Sequence, residues 1–476
     1  FNYQFNENHV IGVRYDFSRS PKIEMRAYMN SSIHADNLLE EESKSKIHSL
    51  TTNNRHTVNA YYNGSFNDWK VDFNVDGMWI DDNNPTVSEE NVKKPDNTEN
   101  NRIIHTLGNG SNELYAAKLI MDHPLWGGSF SIGSEYTYSN RIDRYANDEN
   151  IIPDNENRIM ENAVSAFAMY ARSFGQLQAQ AGVRYEHLGS DYYEFGKRMD
   201  EQSRTYDNVF PSISVSYPIG KVQMMLSYSG NIERPSYNNL SSSITYANKY
   251  TYESGNPFLR SSILNTLSLN TSWKWLYFNM NYSRIKDMQT QISQSYSDED
   301  PSISLFTHTN VPKMDKLNAT LSASPTIGIW SPQFTAMYSQ QWLVMDTPDG
   351  PKNLNNPIGY FQWNNTFSFR KDFQFSIDLE TSTRGEDITY RTIKPGSSVN
   401  LSLYKGFLDG KLAVQLQAND IFNTSSSDIL LYSGNRIMIY EPESRRSFGM
   451  TLRYKFNATR SKYKGTGAGD SQKSRM

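Results

Sequence analysis

Two faces run along the stretch from Ser447 to Phe456. Phe448, Met450, Leu452, Tyr454 and Phe456 fall on one, and Ser447, Gly449, Thr451, Arg453 and Lys455 on the other. A period of two kept this strictly means a β-strand with one apolar face and one wet face. The wet face carries two full charges in mid-strand, and the apolar face is aromatic at its far end. That division suits a strand with lipid outside and a polar lumen inside. It is also the last strand-like stretch before a basic tail, so it is the strand expected to close a barrel. The fold class that follows is all-β, a transmembrane antiparallel β-barrel.

The rest of the chain supports that assignment. Short turns recur about every 50 residues, the self-similarity of a repeated hairpin. They fall near Asn6 to Asn8, Asn67-Asp68, Trp126-Gly127-Gly128, Phe174-Gly175, Pro218 to Gly220, Trp273-Lys274, Pro325 to Gly328, Lys371-Asp372 and Leu408-Asp409-Gly410. Strand-like runs flank each turn, so each is read as a hairpin. Around Asn67-Asp68, for example, Trp69, Val71, Phe73 and Val75 oppose Lys70, Asp72, Asn74 and Asp76. Longer polar stretches separate the hairpins, among them Arg19 to Thr52, Asp82 to Ser111, Asn147 to Glu156 and Asp191 to Tyr206, and these are expected to be loops. Short turns at one rim and long loops at the other is the asymmetry of outer-membrane barrels. Nine hairpins and the closing strand make about 19 strands. Bacterial single-chain barrels have even numbers of strands. The first residues, from Phe1, already alternate like the end of a strand. The sequence is therefore expected to be a fragment, or a chain trimmed at its N-terminus, with strands and any targeting segment upstream.

Composition narrows the class further. Apolar residues make up only 37% of the chain while aromatics reach 13%, and no run approaches the roughly 18 apolar residues of a spanning helix. A helical membrane protein cannot be this polar; a barrel can, because lumen-facing and loop positions outnumber lipid-facing ones. A net charge of −4 argues against a nucleic-acid partner. The absence of cysteine excludes disulfides, thiolate metal sites and Cys nucleophiles. Trp69 and Trp79 share one strand face, as do Trp330 and Trp342, with about ten or more residues between them. That spacing matches a tilted strand crossing a bilayer, and the pairs are assigned to two lipid-side aromatic girdles.

Several segments closely resemble the barrel of TonB-dependent receptors, in its outer-membrane β-barrel branch. They are Gly182 to Glu186 (GVRYE), Asn208 to Ser212 (NVFPS), Tyr228 to Leu240 (YSGNIERPSYNNL), Tyr252 to Arg260 (YESGNPFLR) and Ala418 to Thr424 (ANDIFNT). The signature positions are Phe210, Pro211, Arg234, Pro235, Tyr237, Gly255, Asn256 and Pro257, with Phe456 at the end of the last strand. The resemblance implies a 22-stranded barrel, of which this chain holds about the last 19, with three strands and a plug domain lying upstream. It also implies outer-membrane lipid around the barrel, the barrel-assembly machinery, a TonB-type energy-coupling protein acting through the plug, and a small-molecule or oligomeric substrate. Residues 1–457 are assigned to the barrel and 458–476 to a basic, disordered periplasmic tail. Independently of the family, Pro235 and Pro257 cannot donate to a ladder, and Gly255-Asn256-Pro257 reads as a turn. A strand thus leaves the sheet near Ile232, makes an excursion, and returns near Ser262. Turn chemistry alone makes the excursion a structural loop; contact with a ligand is the alternative.

Reactive chemistry is not visible. The histidines His9, His34, His48, His56, His105, His123, His187 and His308 are scattered and read as solvated. Asp298-Glu299-Asp300 is an acidic tip that reads as a solvated turn rather than a cation site. No phosphate-binding glycine loop or G-x-S-x-G elbow occurs. No catalytic, metal or cofactor residue is assigned, and the expected function is energised uptake of a scarce solute such as a siderophore, glycan or peptide. A plugless pore or adhesin and an outer-membrane barrel enzyme are the alternatives.

Overall fold

The computed structural model describes residues 1–476 apart from 36, 300, 348, 349, 434, 435, 443, 445 and 457–463. Its main sheet has 22 strands. Three of them, Lys197–Arg198, Ile244–Asn248 and Thr251–Ser254, are short loop pieces, which leaves 19 in the wall. In chain order these are β1 (Asn2–Asn6), β2 (His9–Ala35), β3 (Leu38–Phe66), β4 (Trp69–Lys93), β5 (Glu99–Leu125), β6 (Gly128–Asn147) and β7 (Asn155–Phe174). Next come β8 (Leu177–Glu194), β9 (Arg204–Ile219), β10 (Val222–Glu233), β11 (Ser262–Trp273), β12 (Leu276–Ser295), β13 (Ser304–Ala323) and β14 (Trp330–Trp342). The last are β15 (Ile358–Phe369), β16 (Phe373–Ser382), β17 (Ser397–Phe407), β18 (Leu412–Asn419) and β19 (Ser447–Tyr454). Each pairs antiparallel with the next, as the hairpin reading requires.

The short turns lie where the sequence places them. Two-residue connections follow Phe66, Leu125, Phe174, Ile219 and Trp273. Asn67, Trp126, Gly175, Gly220 and Lys274 take positive φ there, the twist that lets a tight turn match its flanking strands.

Burial is inverted relative to a soluble protein. On β4, Asn74 and Asp76 face inward and are 0% and 3% exposed, while their neighbours Phe73 and Val75 face outward at 39% and 42%. The same order holds on β7 and β8, where Glu161 and Glu186 are buried and Val164, Val183 and Tyr185 are exposed. In water such an outside would be an aggregation surface; against hydrocarbon it is the expected one. Trp79 meets the Tyr115 ring edge-on at 5.7 Å and donates its indole N–H to the Tyr115 hydroxyl at 3.1 Å. Val75 lies about midway across the crossing part of β4, in register with Ala60 and Ala117. Val75→Arg is expected to cost about 2–4 kcal/mol, as for a charge on the lipid face near the midplane. Gln180→Arg, on the inner face of β8, should cost much less. Urea midpoints in lipid vesicles check the pair; equal costs would contradict the assigned faces.

Three expectations are corrected. Arg19–Thr52 and Asp82–Ser111 are not loops: β2 to β5 run through them, 25 to 29 residues each. Crossing a bilayer needs roughly 9–11 residues, so these hairpins stand well clear of it. They hold together because their ladder continues unbroken over most of its length and because their inward face is small and polar, with Ser43, Ser45, Ser49 and Ser88 buried.

The ring is also open. Among the described residues β19 pairs only with β18, and β1 only with β2. The strand ends at Tyr454 rather than Phe456, although the Lys455 N–H still bonds the Lys411 carbonyl at 2.7 Å. A closed ring of the implied 22 strands needs three more than these 19.

The third correction concerns the basic stretch at 458–476. Lys462 and the rest of 457–463 lie outside the described residues, but 464–476 is ordered against the inner wall. It contains a helical turn, Asp470–Lys473, and Ala468 is fully buried. Its charges are matched by carboxylates on strands hundreds of residues earlier.

Candidate functional site

The excursion begins after β10 and returns at β11, where Glu233 and Ser262 are in register. Between them the chain folds inward. Ser236 caps a single helical turn, Tyr237–Leu240, by accepting the Asn239 N–H at 3.2 Å. Gly255 then passes so close to this turn that an added Cβ would sit 2.5 Å from the carbonyl oxygens of both Asn238 and Ser241. Only glycine fits there. Asn256 fixes the approach: its N–H bonds the Asn239 carbonyl at 2.6 Å, and its side chain donates to the His308 carbonyl at 2.9 Å. The turn chemistry foreseen for Gly255-Asn256-Pro257 is therefore present, and its use is to dock the excursion on itself and on β13.

Arg234, Pro235 and Tyr237 come together against β6, β7 and β8. The Arg234 side chain is buried in an ion pair with Glu186. Tyr237 has no exposed surface; its hydroxyl donates to Glu161 Oε2 at 2.9 Å and lies 2.6 Å from Ser139 Oγ. Burial raises the Tyr237 pKa, and Glu161 raises it further. The phenol stays protonated, so Ser139 must donate to it while it donates to the carboxylate. The Pro235 carbonyl accepts Arg475 Nε at 2.9 Å. Phe210 is buried on the inner face of β9, whereas Pro211, its neighbour, faces out. Phe456 is not brought to this place; it lies beyond β19 and is 78% exposed.

A second tie holds the far half of the excursion. Glu90 on β4, fully buried, accepts from Arg102 Nε at 2.6 Å, from the Tyr246 hydroxyl at 2.8 Å, from the Lys249 N–H at 2.8 Å and from Ser45 at 3.1 Å. Thr251–Ser254 adds a short parallel pairing with the start of β13. Between the two ties lies a cavity of about 460 Å³. Asp82, Arg141 and Asp143 line it from the wall, Asn238 and Tyr246 from the excursion, and Gln291 and His308 from β12 and β13. Such a lining of amides, hydroxyls and both signs of charge can hydrogen-bond a polar solute and offers no arranged nucleophile and base. Among the described residues no group of three or more His, Asp or Glu could hold a metal ion; Asp300 of the acidic tip is outside them.

Glu90, Asp76, Glu161 and Glu186 carry most of these contacts, and none was singled out from sequence. Their signal was faint but present: each is a carboxylate on the inward parity of a strand, where a buried charge must find a partner.

The profile of the family described as "Outer membrane protein beta-barrel family" matches residues 66–454. Comparison with curated protein sequences found no match. Solved structures with a similar fold include the hemophore receptor HasR of Serratia marcescens, in complex with its hemophore and heme, at TM-score 0.51 and 10% identity over 95% of this chain and 77% of that one. The ferric-catecholate import receptor Fiu of E. coli K12 is similar at TM-score 0.50 and 12% identity, over 95% and 78%. The copper transporter OprC is similar at TM-score 0.54 and 10% identity, over 95% and 76%. At these identities the likeness is one of fold, and it is the receptor-barrel fold that the sequence resemblance implies. The chain belongs to the outer membrane protein beta-barrel family and resides in the cell outer membrane.

Proposed function

We propose that this chain is the barrel part of a TonB-dependent receptor that takes up a scarce solute across the outer membrane with energy from the inner membrane. The observation that carries the reading is the inward excursion 234–261, tied to the wall at Glu186 and at Glu90 around a polar cavity. A passive pore gains nothing from buried ion pairs that hold a segment inside it; a gated receptor needs a lumen that stays narrowed until a ligand binds. Energy coupling runs through a plug engaged by a TonB-type protein, and the assembly machinery recognises the last strand with its terminal aromatic Phe456. The barrel makes and breaks no covalent bond, and selection of the solute lies in the outer hairpins and the cavity. The solute is a siderophore, glycan, peptide or similar; the haem, ferric-catecholate and copper named for the structural neighbours support a scarce-nutrient cargo.

Cells lacking the full-length gene are expected to lose uptake of one solute from a radiolabelled panel of ferric siderophores, glycans and peptides. In cells that carry it, a protonophore should stop that uptake within minutes. Entry that continues unchanged under the protonophore would overturn energised transport in favour of a passive pore.

A further inference from the structure

The segment after the last strand follows the inner wall from β4 to β7. Thr466 and Gly467 donate their N–H groups to Asn74 Oδ1, each at 3.2 Å. Ala468 donates its N–H to Asp76 Oδ2 at 2.8 Å and buries its methyl group among Met78, Leu114 and Ala116. The Gly469 N–H reaches Glu135 at 2.6 Å. Lys473 Nζ lies 2.7 Å from Asp76 Oδ1. Arg475 ends the run: it is paired with Glu161, its Nη2 donating to Oε1 at 3.0 Å, and its guanidinium lies 4.3 Å from the centroid of the Tyr237 ring. Burial opposes the charge on Arg475, but the pull of Glu161 overcomes it and raises the pKa.

Two independent features make this a fitted contact. Gly467 and Gly469 have φ of 79° and 73°, a conformation that side chains resist, and a Cβ on Gly469 would stand 2.8 Å from that of Ala116. In addition, Asp76 and Glu161 are buried carboxylates, and a buried carboxylate requires a cation or donors at hand. The segment supplies a lysine to one and an arginine to the other, with the spacing the wall requires.

We propose that residues 464–476 are an intramolecular strap, and that the inner wall at Asp76, Glu135 and Glu161 is its receptor, a site for a glycine-rich chain bearing Lys and Arg. The strap clasps Pro235 and Tyr237, so it holds the first part of the excursion shut against the wall. Any other segment that enters this half of the lumen must displace it. This goes beyond solute uptake and holds for a barrel of either transport mode.

The test uses the natural absence of cysteine. In the full-length protein in its outer membrane, Ala116→Cys with Ala468→Cys is treated with a short bifunctional thiosulfonate. Most molecules are expected to carry a 116–468 cross-link, read by mass spectrometry of the digested protein. Val75→Cys with Ala468→Cys, which places one thiol on the lipid face, should give none. Adding Asp76→Asn and Glu161→Gln should lower the 116–468 yield at least severalfold while the barrel keeps its heat-modifiable mobility. Both thiols free to react with a water-soluble maleimide and no cross-link at 116–468 would overturn the strap. A yield unchanged by the two neutralising changes would overturn the charge-matched site.

Discussion

Deletion of Ser447–Tyr454 is expected to abolish assembly, leaving no heat-modifiable protein in the outer-membrane fraction. The strand pairs with Leu412–Asn419 residue for residue, from Leu412 with Tyr454 to Asn419 with Ser447. Without it, the outer edge of β18 would present its N–H and C=O groups to hydrocarbon, where each unsatisfied group costs several kcal/mol. Its outward residues, Phe448, Met450 and Leu452, are already among the most exposed apolar side chains of the chain. They are a lipid face or nothing. Deleting 464–476 removes contacts on the inner wall only, and assembly should survive it. Equal loss from the two deletions would mean that the ladder at this edge is not what assembly requires.

The features legible in the sequence are those encoded within one strand or one turn. The alternation along 69–76 and 447–454, the two-residue turns at Asn67-Asp68 and Trp126-Gly127, and the exit and return of the excursion were all readable. Each depends on residues within a dozen positions of one another. The long polar hairpins were misread because their strands have no apolar face; Ser43, Ser45 and Ser49 alternate with other polar residues, and only the assembled wall shows which of them are inside. The strap was misread for a related reason. Glycine and lysine in 464–476 carry the composition of a disordered tail. What orders it are Asp76 and Glu161, more than 300 positions away, and no local pattern ties them to Lys473 and Arg475. The resemblance that picked out Arg234, Pro235 and Tyr237 located one half of the inner site, and burial on the inward strand faces supplied the other.

That inner site sets the last expectation. Arg234 and Glu186 are each about 3% exposed and form an ion pair at the point where the excursion leaves the wall. Glu186→Leu would leave the guanidinium buried beside Arg475 and Arg184, two like charges, with Glu161 already engaged. Removing one member of a buried pair costs about 3–5 kcal/mol, because the remaining charge is uncompensated. The barrel wall does not depend on this contact, so the loss should appear as local opening of the excursion rather than as unfolding. The Asn256 N–H, bonded to the Asn239 carbonyl, reports it. Its hydrogen exchange should quicken on the order of 10²–10³-fold in Glu186→Leu, as 3–5 kcal/mol implies where opening limits exchange. Removing both charges, Glu186→Leu with Arg234→Met, replaces the pair by apolar groups of similar reach and should recover most of the protection. Exchange at Asn256 unaffected by the single change would show that the excursion is held by Gly255 packing and the Glu90 tie alone. Exchange as fast in the double variant as in the single one would show that Arg234 acts by the shape of its side chain, not by its charge.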